Sequence, residues 1–119
     1  PPNLQHGNLD AIRDFTHVKD MAHAYWLALD KCVSGDVYNI CSETGTKISD
    51  VLKQLLSMST VRIKTELDET KMRPSDVPVL TGDCSKFKKL TGWDTTYSQQ
   101  QILEDTLDYW REELKNKVK

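Results

Sequence analysis

Two arginines and one aspartate lie in short segments whose sequence limits backbone freedom. Arg13 lies just before an aromatic residue and a strand-like tripeptide, and Arg73 is followed by Pro74, with Asp76 two residues further on. Proline fixes its own φ and restricts the residue before it, so this loop has little ordering entropy left to lose. Guanidinium groups donate paired N–H bonds to phosphate oxygens, and a carboxylate accepts from vicinal hydroxyls. The pattern suits a ligand that carries a diphosphate and a ribose.

The same residues also fit a simpler interpretation. Arg13 beside Asp14, and Arg73 near Asp76, would form surface ion pairs, each contributing about 0–1 kcal/mol. Converging charge-assisted bonds contribute about 1.5–3 kcal/mol each away from water, enough together for micromolar binding. Spacing alone favours the ion pairs, so the ligand site needs further support.

Other familiar kinds of site do not occur in the sequence. The histidines share no helix-face spacing with one another or with a cysteine, which disfavours a metal site. The chain contains no G-x-S-x-G elbow, no G-x-x-x-x-G-K phosphate loop and no G-x-x-G-x-x-G dinucleotide loop. We therefore expect no metal ion, no catalytic residue and no cofactor-binding residue in this chain.

Composition narrows the class of protein. The 119 residues are 38% hydrophobic and 29% charged, which is typical of a folded domain. A net charge of −2 with scattered Lys and Arg disfavours nucleic acid or an anionic membrane as partner. Cys32, Cys41 and Cys84 are odd in number and form no C-x-x-C pair, which fits a reducing cytoplasm. The opening Pro1-Pro2 supplies no element start, so we expect a fragment of a longer protein.

Periodicity predicts four helices. Apolar residues at helical spacing indicate helices over 20–31 and 49–59, the second with Ser49 as its N-cap, and a short helix over 85–90 ended by Gly92. A capping box, Ser98 with Gln101, opens the last helix. Its apolar stripe is expected to cover a core and consists of Leu103, Thr106, Leu107, Trp110 and Leu114.

Two strands and one ordered loop complete the prediction. The β-branched and aromatic run 37–41 indicates a strand buried on both faces, and the alternation over 61–67 indicates a half-exposed strand. Two prolines make 68–78 a loop, which carries Arg73 and Asp76.

Four strings of residues resemble one known family in their order and spacing. They are GNLDAIRDFTHVKDMAHAYWLAL, GDVYNICS, RPSDVPVLTGDCSKFKKLTGW and the terminal LDYWREEL. The chain from Gly7 to Leu114 resembles the extended short-chain dehydrogenase/reductases that modify nucleotide sugars, specifically their GDP-sugar branch. Phe15 and Asp76 are similar to the GDP-4-keto-6-deoxy-mannose reductases, whereas the GDP-mannose 4,6-dehydratases more often carry tryptophan and glutamate there.

The resemblance implies a fold and a set of roles. The chain would be the α/β C-terminal portion of a Rossmann-type enzyme, with about four helices and two to three short strands and without the dinucleotide-binding core. Residues 7–45 would pack on the missing sheet, and 46–119 would form the substrate lobe. Arg13 and Arg73 would contact the diphosphate or the nearby ribose of a GDP-sugar, and Asp76 would hold the ribose hydroxyls. Asn8 and Leu9 would lie beside the pocket. NAD or NADP would be bound by the missing N-terminal part.

The sequence lacks the catalytic motif of the family that it resembles. Catalysis in such enzymes uses a Y-x-x-x-K pair, and no tyrosine of this chain has a lysine four residues later. We therefore expect the chain to be inactive alone and, without the sheet, to self-associate through its unpaired strand and apolar faces. Two alternatives stay open: a stand-alone ligand-binding or interaction module, and part of a UDP- or dTDP-sugar epimerase or dehydratase.

Overall fold

The computed structural model describes residues 1–74 and 76–118; Ser75, within the predicted loop, and Lys119, at the end of the predicted substrate lobe, lie outside the described residues. The elements in chain order are β1 (Asn3–His6), β2 (Ile12–Asp14), α1 (Val18–Lys31), β3 (Gly45–Lys47), α2 (Ile48–Ser57), β4 (Lys64–Leu67), a 3₁₀ helix (Glu69–Lys71), β5 (Val79–Leu80), α3 (Ser85–Thr91) and α4 (Gln99–Val118). The predicted α/β class with four α-helices is confirmed.

The strands form two small sheets. β1 pairs with β4 in parallel, and β2 lies between β3, which is antiparallel to it, and β5, which is parallel. Five strands are therefore present in the described residues, where two to three were predicted. The additional strands are two to four residues long, too short for a period of two to stand out in the sequence.

The main core lies where α1 packs against α3 and the turn that follows it. Phe87 and Trp93 meet edge to face with ring centroids 5.9 Å apart, and both are almost fully buried. Trp93 Nε1 donates to the carbonyl of Asp20 at 3.0 Å, so the buried indole is satisfied. Ala24 and Cys84 complete the buried cluster.

Three helix predictions are confirmed with small changes at their ends. α1 begins at Val18, two residues before the predicted start, because the His17 ring accepts the N–H of Lys19 as an N-cap. Gly92 ends α3 in the left-handed region, with φ of 73°. The capping box of α4 is present: Ser98 N donates to Gln101 Oε1 at 2.8 Å, and Gln101 N to Ser98 Oγ at 3.2 Å.

The predicted N-cap of α2 is wrong. The helix begins at Ile48, so Ser49 lies inside it, and Lys47 occupies the cap position without a side-chain hydrogen bond. Two free N–H groups of the first turn are satisfied by backbone instead. Ile48 N donates to the carbonyl of Ala11, and Ser49 N to that of Leu9, each at 2.9 Å. The segment before β2 therefore caps α2 and ties it to the cleft described below.

The strand predicted over 37–41 is not formed among the described residues. Val37 is 77% exposed, whereas Tyr38 and Ile40 pack against the core cluster, so the segment has one covered side. High β-propensity does not make a strand without a neighbour to pair with. The strand predicted over 61–67 shortens to β4, whose four residues are all exposed rather than alternating.

The apolar stripe of α4 covers the core only at its start. Leu103 is 6% exposed, whereas Trp110 and Leu114 are 53% and 59% exposed. α1 likewise carries an exposed apolar face opposite its buried one, formed by Val18, Tyr25, Trp26 and Leu29. Among the described residues, no helix is long and apolar enough to cross a bilayer.

Candidate functional site

Four of the five predicted site residues line one cleft of about 260 Å³. Arg13 comes from β2, Asn8 from the segment before it, and Arg73 and Asp76 from the loop that leads to β5. The complete lining is Gly7, Asn8, Ala11, Arg13, Ile48, Lys71, Arg73 and Asp76. Arg13 and Arg73, which the sequence places on separate segments, therefore line the same cleft.

The sheet explains why these segments meet. β5 runs parallel to β2, with Arg13 beside Leu80, and Ile12 N donates to the carbonyl of Pro78 at 2.8 Å. The loop after the 3₁₀ helix must therefore return to the edge of β2 before β5 begins. This return places Asp76 beside Arg13.

Asp76 is held by two donors from the other side of the cleft. Arg13 Nη2 donates to its Oδ1 at 3.0 Å, and Asn8 Nδ2 donates to its Oδ2 at 3.1 Å. Asn8 Oδ1 accepts the N–H of Asp10 at 2.9 Å, which fixes the orientation of the amide. The side chains of Arg13 and Asp76 are each about a quarter exposed, at 26% and 25%, so the carboxylate remains partly accessible as an acceptor for a ligand hydroxyl.

Arg13 is already engaged by the protein. Besides Asp76, its Nη1 donates to the carbonyls of Ile12 at 2.9 Å and Val77 at 2.8 Å. Guanidinium has five N–H donors, so about two remain for a ligand. Arg13 therefore fastens the loop to β2 and keeps limited capacity for a phosphate.

Arg73 and Lys71 are the remaining cations of the cleft. Both are exposed, and neither side chain has a hydrogen bond or ion pair with any of the described residues. Because Arg13 and Asp76 neutralise each other, the lining keeps the positive charge of these two side chains. Such a cleft can bind an anion with two negative charges. Lys71 was missed because residues 68–78 were treated as one loop; Asp68 two residues before Thr70 was the local signal of the 3₁₀ turn.

Gly7 is required by the close approach of two segments. A Cβ at this position would lie 2.7 Å from the carbonyl oxygen of Lys71. This distance is below any ordinary contact, so a side chain here would push the 3₁₀ helix away from the cleft.

The structure places Leu9 outside the cleft. Its carbonyl accepts from Ser49 N, and its side chain lies in a separate apolar hollow against α2. That hollow is lined by Leu4, Gln5, His6, Leu9, Ile48, Val51, Leu52 and Leu55.

The end of β2 is tied to the helical core by Asp14. Its carboxylate accepts from Ser42 N at 3.0 Å, from the Ser42 hydroxyl and from Glu43 N at 2.9 Å. Glu43 has a φ of 64°, and its carboxylate contacts Lys88 Nζ at 2.9 Å. Hydrogen bonds to Glu43 and then to Asp94 raise the pKa of Lys88, so this lysine stays charged. Arg13 thus stands on a strand that is fixed at both ends.

His17 lines a larger groove between α1 and α4 but is not free for chemistry. Its Nε2 lies 2.7 Å from Asp105 Oδ2, and its Nδ1 accepts the N–H of Lys19 at 3.0 Å. The ring stacks on Tyr97 with centroids 4.0 Å apart. Within the described ranges, no group of three or more His, Cys, Asp or Glu side chains is placed to hold a metal ion.

Comparison with known proteins identifies relatives that share sequence and fold. The model of the GDP-mannose 4,6 dehydratase family matches residues 1–106. The GDP-6-deoxy-D-mannose reductase of Pseudomonas aeruginosa is 30% identical over 107 residues, which are 90% of this chain and 35% of that protein. GDP-mannose 4,6 dehydratase 2 of Arabidopsis thaliana is 30% identical over 104 residues, 86% of this chain and 28% of its own length.

A solved structure gives the same result for the fold. The structure of RMD from Pseudomonas aeruginosa complexed with NADPH superposes with a TM-score of 0.84 at 29% identity. The match covers 93% of this chain and 36% of that one, so the chain spans about a third of the length of its relatives. The family model covers most of the chain and the fold agrees: the chain belongs to the GDP-mannose 4,6 dehydratase family, within the nucleotide-sugar-modifying extended short-chain dehydrogenase/reductases.

Proposed function

We propose that this chain is the GDP-sugar-binding part of an NAD(P)-dependent enzyme of the GDP-4-keto-6-deoxy-mannose reductase or GDP-mannose 4,6-dehydratase type. The observation that carries the proposal is the shared cleft, in which Arg73 and Arg13 lie beside Asp76. Guanidinium groups suit a diphosphate, and the Asp76 carboxylate suits the ribose hydroxyls next to it. Asn8 acts by orienting Asp76.

The chain contributes binding rather than the chemical step. It has no Y-x-x-x-K pair and no glycine-rich loop of the kind that cradles a dinucleotide, so its residues do not fit a cofactor site. A relative of the same fold has been solved with NADPH. We therefore assign NAD or NADP binding, hydride transfer and proton abstraction to a Rossmann portion outside this chain, against which residues 7–45 would pack while 46–119 form the substrate lobe. The three free cysteines support a reducing cytoplasm.

Titration of the chain with GDP, followed by ¹H–¹⁵N NMR, tests the proposal. GDP should shift amide signals of the cleft residues, and Arg73→Ala should weaken binding at least tenfold. The matched control is Arg62→Ala, because Arg62 is exposed and lies outside the cleft. A well-dispersed spectrum that does not change with about 10 mM GDP would exclude this function.

The base is the least constrained part of the substrate. The charged groups of the cleft suit phosphate and ribose, which GDP, UDP and dTDP sugars share apart from the 2′-hydroxyl. Competition among GDP, UDP and dTDP therefore decides between the GDP-sugar enzyme and the UDP- or dTDP-sugar alternative. Tighter binding of UDP than GDP would favour the alternative.

A further inference from the structure

Lys71 is held at the wall of the cleft by its own backbone. It ends the 3₁₀ helix, where its N–H donates to the carbonyl of Asp68 at 3.0 Å. The Asp68 side chain caps the same turn by accepting from Thr70 N at 3.0 Å. The Lys71 carbonyl packs against Gly7, as described above. The side chain therefore starts from a fixed point beside the cleft, and only its own rotamers remain to be ordered when a ligand binds.

The charged side chains that line the cleft are the Arg13–Asp76 pair and two cations, Lys71 and Arg73, that form no ion pair with the described residues. Arg13 spends three N–H groups on Asp76 and two carbonyls, so it offers a phosphate only part of its donor set. Lys71 lines the same cleft as Arg73, and within the described residues its Nζ has no carboxylate within 4.0 Å. Its charge does reach Asp68, whose pKa is lowered mainly by hydrogen bonds from Thr70 and to a smaller extent by Lys71. A diphosphate ester carries one negative charge on each phosphate. The free charge of the cleft therefore matches that of the ligand only when Lys71 is included.

We propose that Lys71 is a phosphate-binding residue that works with Arg73, so that the two free cations neutralise the two phosphates of the nucleotide sugar. The inference rests on the proposed function and adds to it a residue outside the arginine pair. Arg73 supplies a planar, bidentate fork, whereas the lysine ammonium acts as a compact charge on a flexible stem. The Lys71 ammonium can therefore contact the second phosphate over a range of hydrogen-bond angles.

The test compares Lys71→Gln with Lys64→Gln by NMR titration of the chain with GDP and with guanosine. Lys64 is an exposed lysine on β4 that does not line the cleft. Lys71→Gln should weaken GDP binding about five- to tenfold and leave guanosine binding unchanged, whereas Lys64→Gln should change neither. Lys71→Arg should restore most of the affinity. Because the effect comes from charge, it should shrink as salt is raised from about 0.05 to 0.5 M.

The outcomes separate this inference from the proposed function. If the unaltered chain does not bind GDP, the proposed function fails and Lys71 has no role in it. If the chain binds GDP and Arg73→Ala weakens it, but Lys71→Gln does not, the function stands and Lys71 is only a surface lysine. Equal losses for GDP and guanosine would show that Lys71 shapes the cleft rather than binding phosphate. A second variant, Lys71→Met, checks that the loss does not depend on the glutamine.

Discussion

Removal of the Asp20 carboxylate should destabilise the protein more than any surface substitution. Asp20 lies in the first turn of α1 and is 3% exposed. Its two oxygens accept from Thr96 N at 3.1 and 3.0 Å, from Thr96 Oγ1 at 2.7 Å and from Tyr97 N at 3.1 Å. No lysine or arginine of the described residues pairs with it, so these neutral donors and the start of the helix stabilise the charge.

The magnitude follows from the groups left without a partner. In Asp20→Ala, two N–H groups and one hydroxyl lose their acceptor, and each buried unsatisfied group costs about 1–3 kcal/mol. Thr96 is exposed as a residue, so water will satisfy part of this set, and we expect a net loss of about 3–4 kcal/mol. Asp20→Asn keeps one oxygen and the shape of the side chain, because the Thr96 hydroxyl can turn to accept from the new amide. Its cost should be about 1–2 kcal/mol.

Urea unfolding followed by circular dichroism measures these differences. Asp30→Ala is the matched control, since Asp30 is an exposed carboxylate on the same helix and should change stability by less than about 0.5 kcal/mol. The transition midpoint should move with little change in its slope. Equal midpoints for Asp20→Ala and Asp30→Ala would refute the argument that the carboxylate joins α1 to the turn before α4.

Three further outcomes follow from the structure. Asp14→Ala should cost about 2–3 kcal/mol by the same unfolding assay, because it frees Ser42 N and Glu43 N; a loss below about 0.5 kcal/mol would show that the turn is held by other contacts. Burial, with a smaller effect from Asp14, raises the pKa of the Cys41 thiol, so its pH midpoint for iodoacetamide alkylation, read by mass spectrometry, should be higher in the native chain than in urea; equal midpoints would contradict this. The exposed apolar face of α1 should make the chain self-associate at about 100 μM, as measured by light scattering. Leu29→Lys should weaken this self-association and Asp30→Lys should not; a clean monomer of the unaltered chain would contradict the prediction.

The sequence predicted elements that depend on local chemistry. The end of α3 and the start of α4 were placed within one residue, because Gly92 and the Ser98–Gln101 box act over a few residues. The sequence prediction failed where a segment distant in the sequence decides the local structure. Ser49 has the right type for an N-cap, but the carbonyls of the segment before β2 take that role. The segment 37–41 has the composition of a strand and finds no strand to pair with among the described residues.

The cleft shows the same division between local and distant effects. Arg73, Pro74 and Asp76 were singled out because proline stiffens a segment that carries charges. That Asp76 lies beside Arg13, rather than pairing with Arg73, depends on the parallel pairing of β2 with β5, which joins residues more than 60 positions apart. Sequence spacing gives no access to such a pairing. Lys71 was missed for a local reason, because the 3₁₀ turn that positions it was included in the predicted loop.

The pairing of Asp76 with Arg13, rather than with Arg73, changes what each charged side chain of the cleft can do. If Asp76 paired with Arg73 instead, that pair would only close the loop on itself. Arg13, on β2, and Arg73, on the loop, would then be held by different parts of the protein. The Arg13–Asp76 pair instead uses one cation to fix the loop and aims a carboxylate into the cleft, oriented from its other side by Asn8. Arg73 is then left without a protein partner in the described residues, beside a lysine in the same condition. An already oriented carboxylate, beside two cations that form no ion pair with the described residues, needs little reorganisation when a phosphate ester of ribose binds. This low cost is the physical reason to place substrate binding here.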